Sequence, residues 1–227
     1  MLNKLYQRVA IEISFLRNKN TPPYFIDPLV RSLSKKYDDI DIYLDFLIST
    51  RKKLSVPTQV PFNLWEKIRF GSNYKTIERK LLSPLAEYSG NGLLKTDILL
   101  YDYTYRGFPS RIEFHFYENK LFYIECNLGD LASRDRIELL EEIKGLYNII
   151  ELETELQKIS DPAGNVLSVE NGTELKIFLA QTGNPFFTEI SNIEIFYNKK
   201  QSSDKGGKAI YQPTSQNKVF EDIKKTG

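Results

Sequence analysis

One cysteine and one histidine stand in 227 residues. With Cys126 alone, no disulfide can close within the chain and no cysteine-based zinc site can form. His115 alone cannot supply a histidine cluster, and a catalytic triad built on it would still need an orienting carboxylate and a nucleophile. A net excess of either charge is missing. The 31 basic and 30 acidic residues leave a formal net charge of +1. That lacks the positive excess with which nucleic-acid binders neutralise phosphates. Long apolar runs are missing too: no stretch approaches the roughly 18 residues of a membrane helix. Met1 to Leu5 soon meets charge and carries no apolar run with a small-residue cleavage site, so the expectation is a cytoplasmic chain without an export signal.

What the chain does have is apolar substance: 41% hydrophobic and 13% aromatic residues, enough to bury a core. The periodicity places helices first. Leu2, Leu5, Tyr6, Val9, Ile13 and Leu16 fall on one helical stripe that the Pro22-Pro23 pair ends. Asp27 as cap and Pro28 at the first helical position open a second helix, with Leu29, Val30 and Leu33 on one side. Tyr37 to Ile48 continues the helical pattern, and 51–61 reads as a linker or extended crossing segment. Ser72 or Asn73 then caps a short helix with Ile77 and Leu81 on one face, stopped by Pro84. Strands are expected at 97–105, 111–117 and 121–127, the last two joined at Glu118-Asn119-Lys120. A helix follows from Asp130 or Ser133 to about Leu146, with Ile137, Leu140, Ile143 and Leu146 inward. Beyond it come a hairpin turning at Asn171-Gly172 and a strand over 187–197. The fold class is α+β: an N-terminal helical module and linker (1–60), an antiparallel sheet domain with helices on one face (61–198) and a polar, flexible tail (199–227). Residues 71–127 and 133–197 each read as a helix followed by strands.

Gly71-x5-Ile77-x3-Leu81-x2-Pro84 ahead of an aromatic hairpin resembles the helix-then-sheet units of beta-lactamase-inhibitor-like proteins and of the outer-membrane assembly lipoprotein family. The resemblance implies two such units in tandem, forming a sheet that grips a partner protein. A cytosolic relative would be an immunity-type protein that binds and blocks a toxin.

No residue pattern demands a cofactor or metal. Asp38-Asp39-x-Asp41 lacks the glycine and closing glutamate of a calcium loop, and Glu138, Glu141 and Glu142 mark an exposed helix face. Phe114 and Phe116 are expected to share one covered face with Phe122 and Ile124. Cys126 sits with Phe122 and Ile124 on that apolar side of its strand, where a thiol acts as a small hydrophobe. Lys35-Lys36 and Arg51-Lys52-Lys53 read as solvated helix ends. The positive feature is tyrosine. Tyr101, Tyr103 and Tyr105 point one way on their strand, and Tyr117 and Tyr123, with His115 and Glu125, are expected to join that side. Tyrosine offers rigid contact area with a polar tip, which suits recognition surfaces. The same alternation fits a sheet whose second face is covered by the N-terminal helices. Two functions stay open. One is a non-enzymatic protein-binding protein, such as an inhibitor or immunity protein, holding a protein partner on the sheet face. The other is a small-ligand-binding protein or enzyme with a pocket between helical module and sheet, lined by His115, Tyr117 and Glu125.

Overall fold

The computed structural model describes residues 27–37, 40–62, 68–90 and 94–204, with side chains through Ile195. The helix expected over 2–17 lies outside the described residues; of the tail expected over 199–227, residues 199–204 are helical and the rest lies outside them.

Helix α1 (Pro28–Tyr37) starts as its sequence dictates, the Leu29 amide donating to the Asp27 carboxylate at 2.8 Å. Helix α2 (Asp41–Lys52) follows. The expected linker contains strand β1 (Leu54–Pro57). Helix α3 (Tyr74–Leu81) is capped by Asn73, whose side chain accepts from the Thr76 amide at 2.9 Å. Gly71, just before it, has φ +77°, a conformation that a β-carbon disfavours. Strands β2 (Ala86–Ser89), β3 (Thr96–Tyr105), β4 (Phe108–Tyr117) and β5 (Lys120–Asn127) then form a meander. Its last turn, Glu118-Asn119, takes positive φ at both residues, as a two-residue hairpin of right-twisted strands requires. Helix α4 (Ser133–Tyr147) leads to β6 (Gln157–Ser160), β7 (Val166–Asn171) and β8 (Leu175–Ala180), and helix α5 (Pro185–Asp204) closes the described chain.

The strands form one sheet in the order β1-β6-β7-β8-β5-β4-β3-β2. The two helix-then-strands segments meet where β5 pairs antiparallel with β8. The sheet is mixed, since β1 runs parallel to β6. Helices cover both faces rather than one. Ile77 of α3 and Leu139 and Ile143 of α4 pack on the face of Ile112, Phe114, Phe116 and Ile124. Leu33 and Tyr37 of α1, Tyr43, Phe46 and Leu47 of α2, and Phe186, Phe187 and Ile190 of α5 pack on the other.

Four expectations need correction. The segment 187–197 is helical, because Asn184 caps it through the Phe186 amide and Pro185 fits the first helical position. The β7–β8 turn is 172–174, not Asn171-Gly172: Asn171 pairs with Leu175 as the last residue of β7. The inward stripe of α4 is Leu139 and Ile143, whereas Ile137 and Leu146 are exposed. Phe122 faces α5 instead of the Phe114 face. The β4–β5 register shifts between His115 and Phe116, leaving Phe122 as an extra residue and turning it to the same side as Tyr123.

The described chain divides into two compact units at Ile190. The first holds α1 through the start of α5 and the whole sheet. In the second, the helix continues from Ser191 to Asp204.

Candidate functional site

Strand alternation sends Glu113, His115 and Tyr117 of β4 to the face beneath α1 and α2. In the register, Glu113 stands opposite Glu125, and His115 opposite Tyr123. Glu113 is 8% exposed, Glu125 4% and His115 0%. Two like charges directly across a strand pair repel, and burial sharpens the repulsion. Helix α1 supplies the answer. The Lys36 Nζ lies 2.8 Å from Glu125 Oε1 and 3.2 Å from Glu113 Oε2. It also sits 4.7 Å from the centre of the Tyr37 ring, a cation–π distance. The Tyr37 hydroxyl is 3.0 Å from Glu125 Oε2 and also meets Glu113 Oε2. It has one proton to give, so it donates to one carboxylate at a time.

The imidazole of His115 is boxed by the rings of Tyr37, Tyr43 and Tyr123, each meeting it edge-to-face. The Tyr43 hydroxyl lies 2.7 Å from Nδ1. With Tyr43 as donor to Nδ1, the proton of the neutral ring sits on Nε2. Nε2 is 3.5 Å from Glu113 Oε2 and makes no hydrogen bond.

Burial pushes the His115 pKa down, more than the neighbouring Glu113 raises it, so the ring is neutral at pH 7. Burial also opposes ionisation of Glu113, but the His115 ring 3.5 Å away, the Lys36 ammonium and the Tyr37 hydroxyl overcome it and hold the carboxyl below its usual range. For Lys36, burial is outweighed by Glu125 and Glu113, and its pKa is raised. Burial pushes Tyr37, Tyr43 and Tyr123 far up, so their hydroxyls stay protonated.

The seven residues read from the sequence as one surface do not share a face. His115, Tyr123 and Glu125 join the buried network. Tyr117 is half-buried near its edge, its hydroxyl 2.9 Å from both carboxylate oxygens of Glu189. Tyr101, Tyr103 and Tyr105 lie on the opposite side of the sheet. The Tyr101↔Ile112 pairing places them with the α3 and α4 core. Tyr101 is buried and donates to the Leu82 carbonyl at 3.1 Å. Tyr123, 1% exposed, is a core residue rather than a surface one.

Sequence reasoning missed Lys36, Tyr37 and Tyr43, and gave Glu113 no role in the surface. Lys36 was read as a solvated helix end. The usable signal was spacing: Lys36 and Tyr37 follow Leu33 by three and four residues, on the stripe that packs inward. Cys126 is buried and its thiol is pushed up to about 12, chiefly by burial, which leaves it unreactive. Among the described residues, no group of three or more His, Cys, Asp or Glu is placed to hold a metal ion, and no helix is long and apolar enough to cross a membrane.

No protein-family model matches the chain, and neither a curated protein nor a solved structure matches it.

Proposed function

We propose that the chain is a non-enzymatic protein-binding protein of the inhibitor or immunity kind. Its recognition surface is the β4–β5 face, which α1 covers in the free state. The observation that carries this is the ionic network at the seam between helix and sheet. Two carboxylates and a lysine buried there stabilise docking less than a well-packed apolar seam would. Such a cover is suited to leave. Only Leu33 and Tyr37 of α1 are buried, and the rest of the helix is half-buried or exposed. The tandem helix-then-strands layout supports the inhibitor type. A substrate pocket finds less support, because the only histidine is fully enclosed by the tyrosine rings.

Native-state hydrogen exchange tests it. The amides of α1 should exchange through a local opening, at least about tenfold less protected than those of β4 and β5. Equal protection in helix and strands would mean that the cover opens only on global unfolding, and the β4–β5 face would then be unavailable to a partner.

A further inference from the structure

We infer that the Glu113–Glu125 pair is a recognition site for a primary ammonium group, that Lys36 is the chain's own occupant, and that the partner presents a lysine in its place. This rests on the β4–β5 face being the recognition surface.

The geometry around Lys36 Nζ is that of an ammonium cradle. Three carboxylate oxygens surround it, Glu125 Oε1 at 2.8 Å and Glu113 Oε2 and Oε1 at 3.2 and 3.3 Å, matching the three N–H donors of an ammonium. The oxygens come from two strands and converge on a point. A planar guanidinium is better matched by one carboxylate held edge-on. The Tyr37 ring adds an aromatic wall. The Lys36 side chain is 28% exposed, so the cradle is reached from the molecular surface along the edge of α1.

The second observation is independent of the lysine. His115 Nε2 is fully buried, faces Glu113 and has no hydrogen bond. Buried donors are satisfied as a rule. Here Glu113 is turned toward Lys36 and Tyr37, and Nε2 goes unmet. The closed state is therefore not the arrangement in which every donor of this site is used. Without Tyr37 overhead, one Glu113 oxygen is free to turn toward Nε2 while the other, with Glu125, holds an incoming ammonium. Lys36 thus acts as an internal competitor, and a partner lysine gains access as α1 lifts.

The test is chemical rescue in the full chain. Lys36→Ala removes the occupant and leaves the cradle empty. Lys36→Met removes the charge but fills the space. Thermal unfolding is followed against propylammonium chloride, with sodium and tetramethylammonium chloride as ionic controls. Propylammonium should raise the midpoint of Lys36→Ala saturably by several degrees. Wild type and Lys36→Met should respond only as they do to the control salts. If Lys36→Ala does not fold alone, propylammonium should restore a cooperative transition with the same saturation. Nα-acetyl-lysine N-methylamide forms the second arm, because it carries the backbone that a partner lysine would bring. Rescue by both compounds supports the assignment. Rescue by propylammonium alone would overturn the partner lysine in favour of a free amine. Rescue by neither, or equal rescue by tetramethylammonium, would overturn the ammonium site altogether. The exchange behaviour of α1 is read separately, so a mobile cover with no ammonium binding would sink this inference while leaving the recognition face standing.

Discussion

The two faces of the same strands are held by different physics. Ile112, Phe114 and Phe116 alternate along β4 with Glu113, His115 and Tyr117. The first set meets α3 and α4 through apolar contact. The second meets α1 and α2 through a lysine, two carboxylates, an imidazole and three tyrosine rings set beside apolar contacts of Leu33, Phe46 and Leu47, and Tyr117 meets α5. Apolar burial is non-directional and nearly indifferent to pH. A buried ionic seam depends on partner, protonation and geometry at once. Both faces bury apolar cores, and the second adds an ionic seam that makes the position of α1 conditional.

The largest expected effect lies on the apolar face. Phe114 is 0% exposed and edge-to-face with Tyr101. Phe114→Ala should lower stability by about 3–5 kcal/mol, the range for emptying an aromatic core site. The loss should be the same at pH 5 and pH 8 in denaturant titrations. A strong pH dependence would mean that the two faces are coupled and the contrast is false.

Next comes Lys36→Met, expected to cost about 3 kcal/mol at pH 7. That is the lower end for breaking a buried pair, since Lys36 is partly exposed. The deficit should shrink in acid, as one of the stranded carboxyls takes a proton. Adding Glu113→Leu and Glu125→Leu should recover most of it, because an apolar seam replaces the whole network. A triple variant no more stable than the single one would show that the network is tied to other groups. His115 remains behind in that variant and sets the limit of the recovery.

The apolar face was legible in the sequence and the polar one was not. Period-two alternation placed Phe114, Phe116 and Ile124 correctly, and the Asn73 cap and the Asp27-Pro28 start gave α3 and α1. Alternation also put His115, Tyr123 and Glu125 on one side. It could not say what lies above them, because coverage by a helix some eighty residues away in sequence is a tertiary fact. Tyr101 was misplaced because a side must be compared across strands, and that needs the register. Phe122 was misplaced because the bulge shifts the phase of β5 with no mark in the local sequence. The Asn184-Pro185 start of α5 was readable, but aromatic and β-branched residues downstream pulled 187–197 toward strand.

A third measurement sharpens the contrast through protons. The groups facing His115 are Glu113 on its own strand, Tyr123 and Glu125 on β5, Lys36 and Tyr37 on α1, and Tyr43 on α2. The folded pKa of His115 lies below its ordinary value of 6.5. As pH falls past 6.5, the unfolded chain takes up the proton first. The stability His115 contributes is thus complete above that value and is lost as pH falls toward the folded pKa. Glu113, also depressed, extends the loss below its ordinary value of 4.5. Lys36 works the other way, its contribution present below 10.5 and lost as pH rises through its raised pKa. Each unmatched proton contributes a slope of at most about 1.4 kcal/mol per pH unit. His115→Gln should flatten the profile between pH 7 and 5 and keep the fall below 4.5. An unchanged slope would place the titrating group elsewhere.

The smallest effect is expected near the rim of the polar face, at Tyr117. Its hydroxyl meets Glu189 at the start of α5, and its pKa is pushed up to about 12, by burial first and then by that carboxylate. It lies on the same side of the sheet as Tyr123 but is half-buried, so water competes for both partners. A hydrogen bond in such a setting contributes about 0.5–1 kcal/mol. Tyr117→Phe should therefore lower stability by no more than that and leave the exchange of α1 unchanged, because Tyr117 makes its bond to α5. The two outcomes separate the helices on this face. A loss above about 3 kcal/mol would exceed the normal contribution of a hydrogen bond to a charged group and make α5 part of the conditional seam. A loss within the expected range, with α1 exchange unmoved, would confine the seam to Lys36, Tyr37 and the residues they touch.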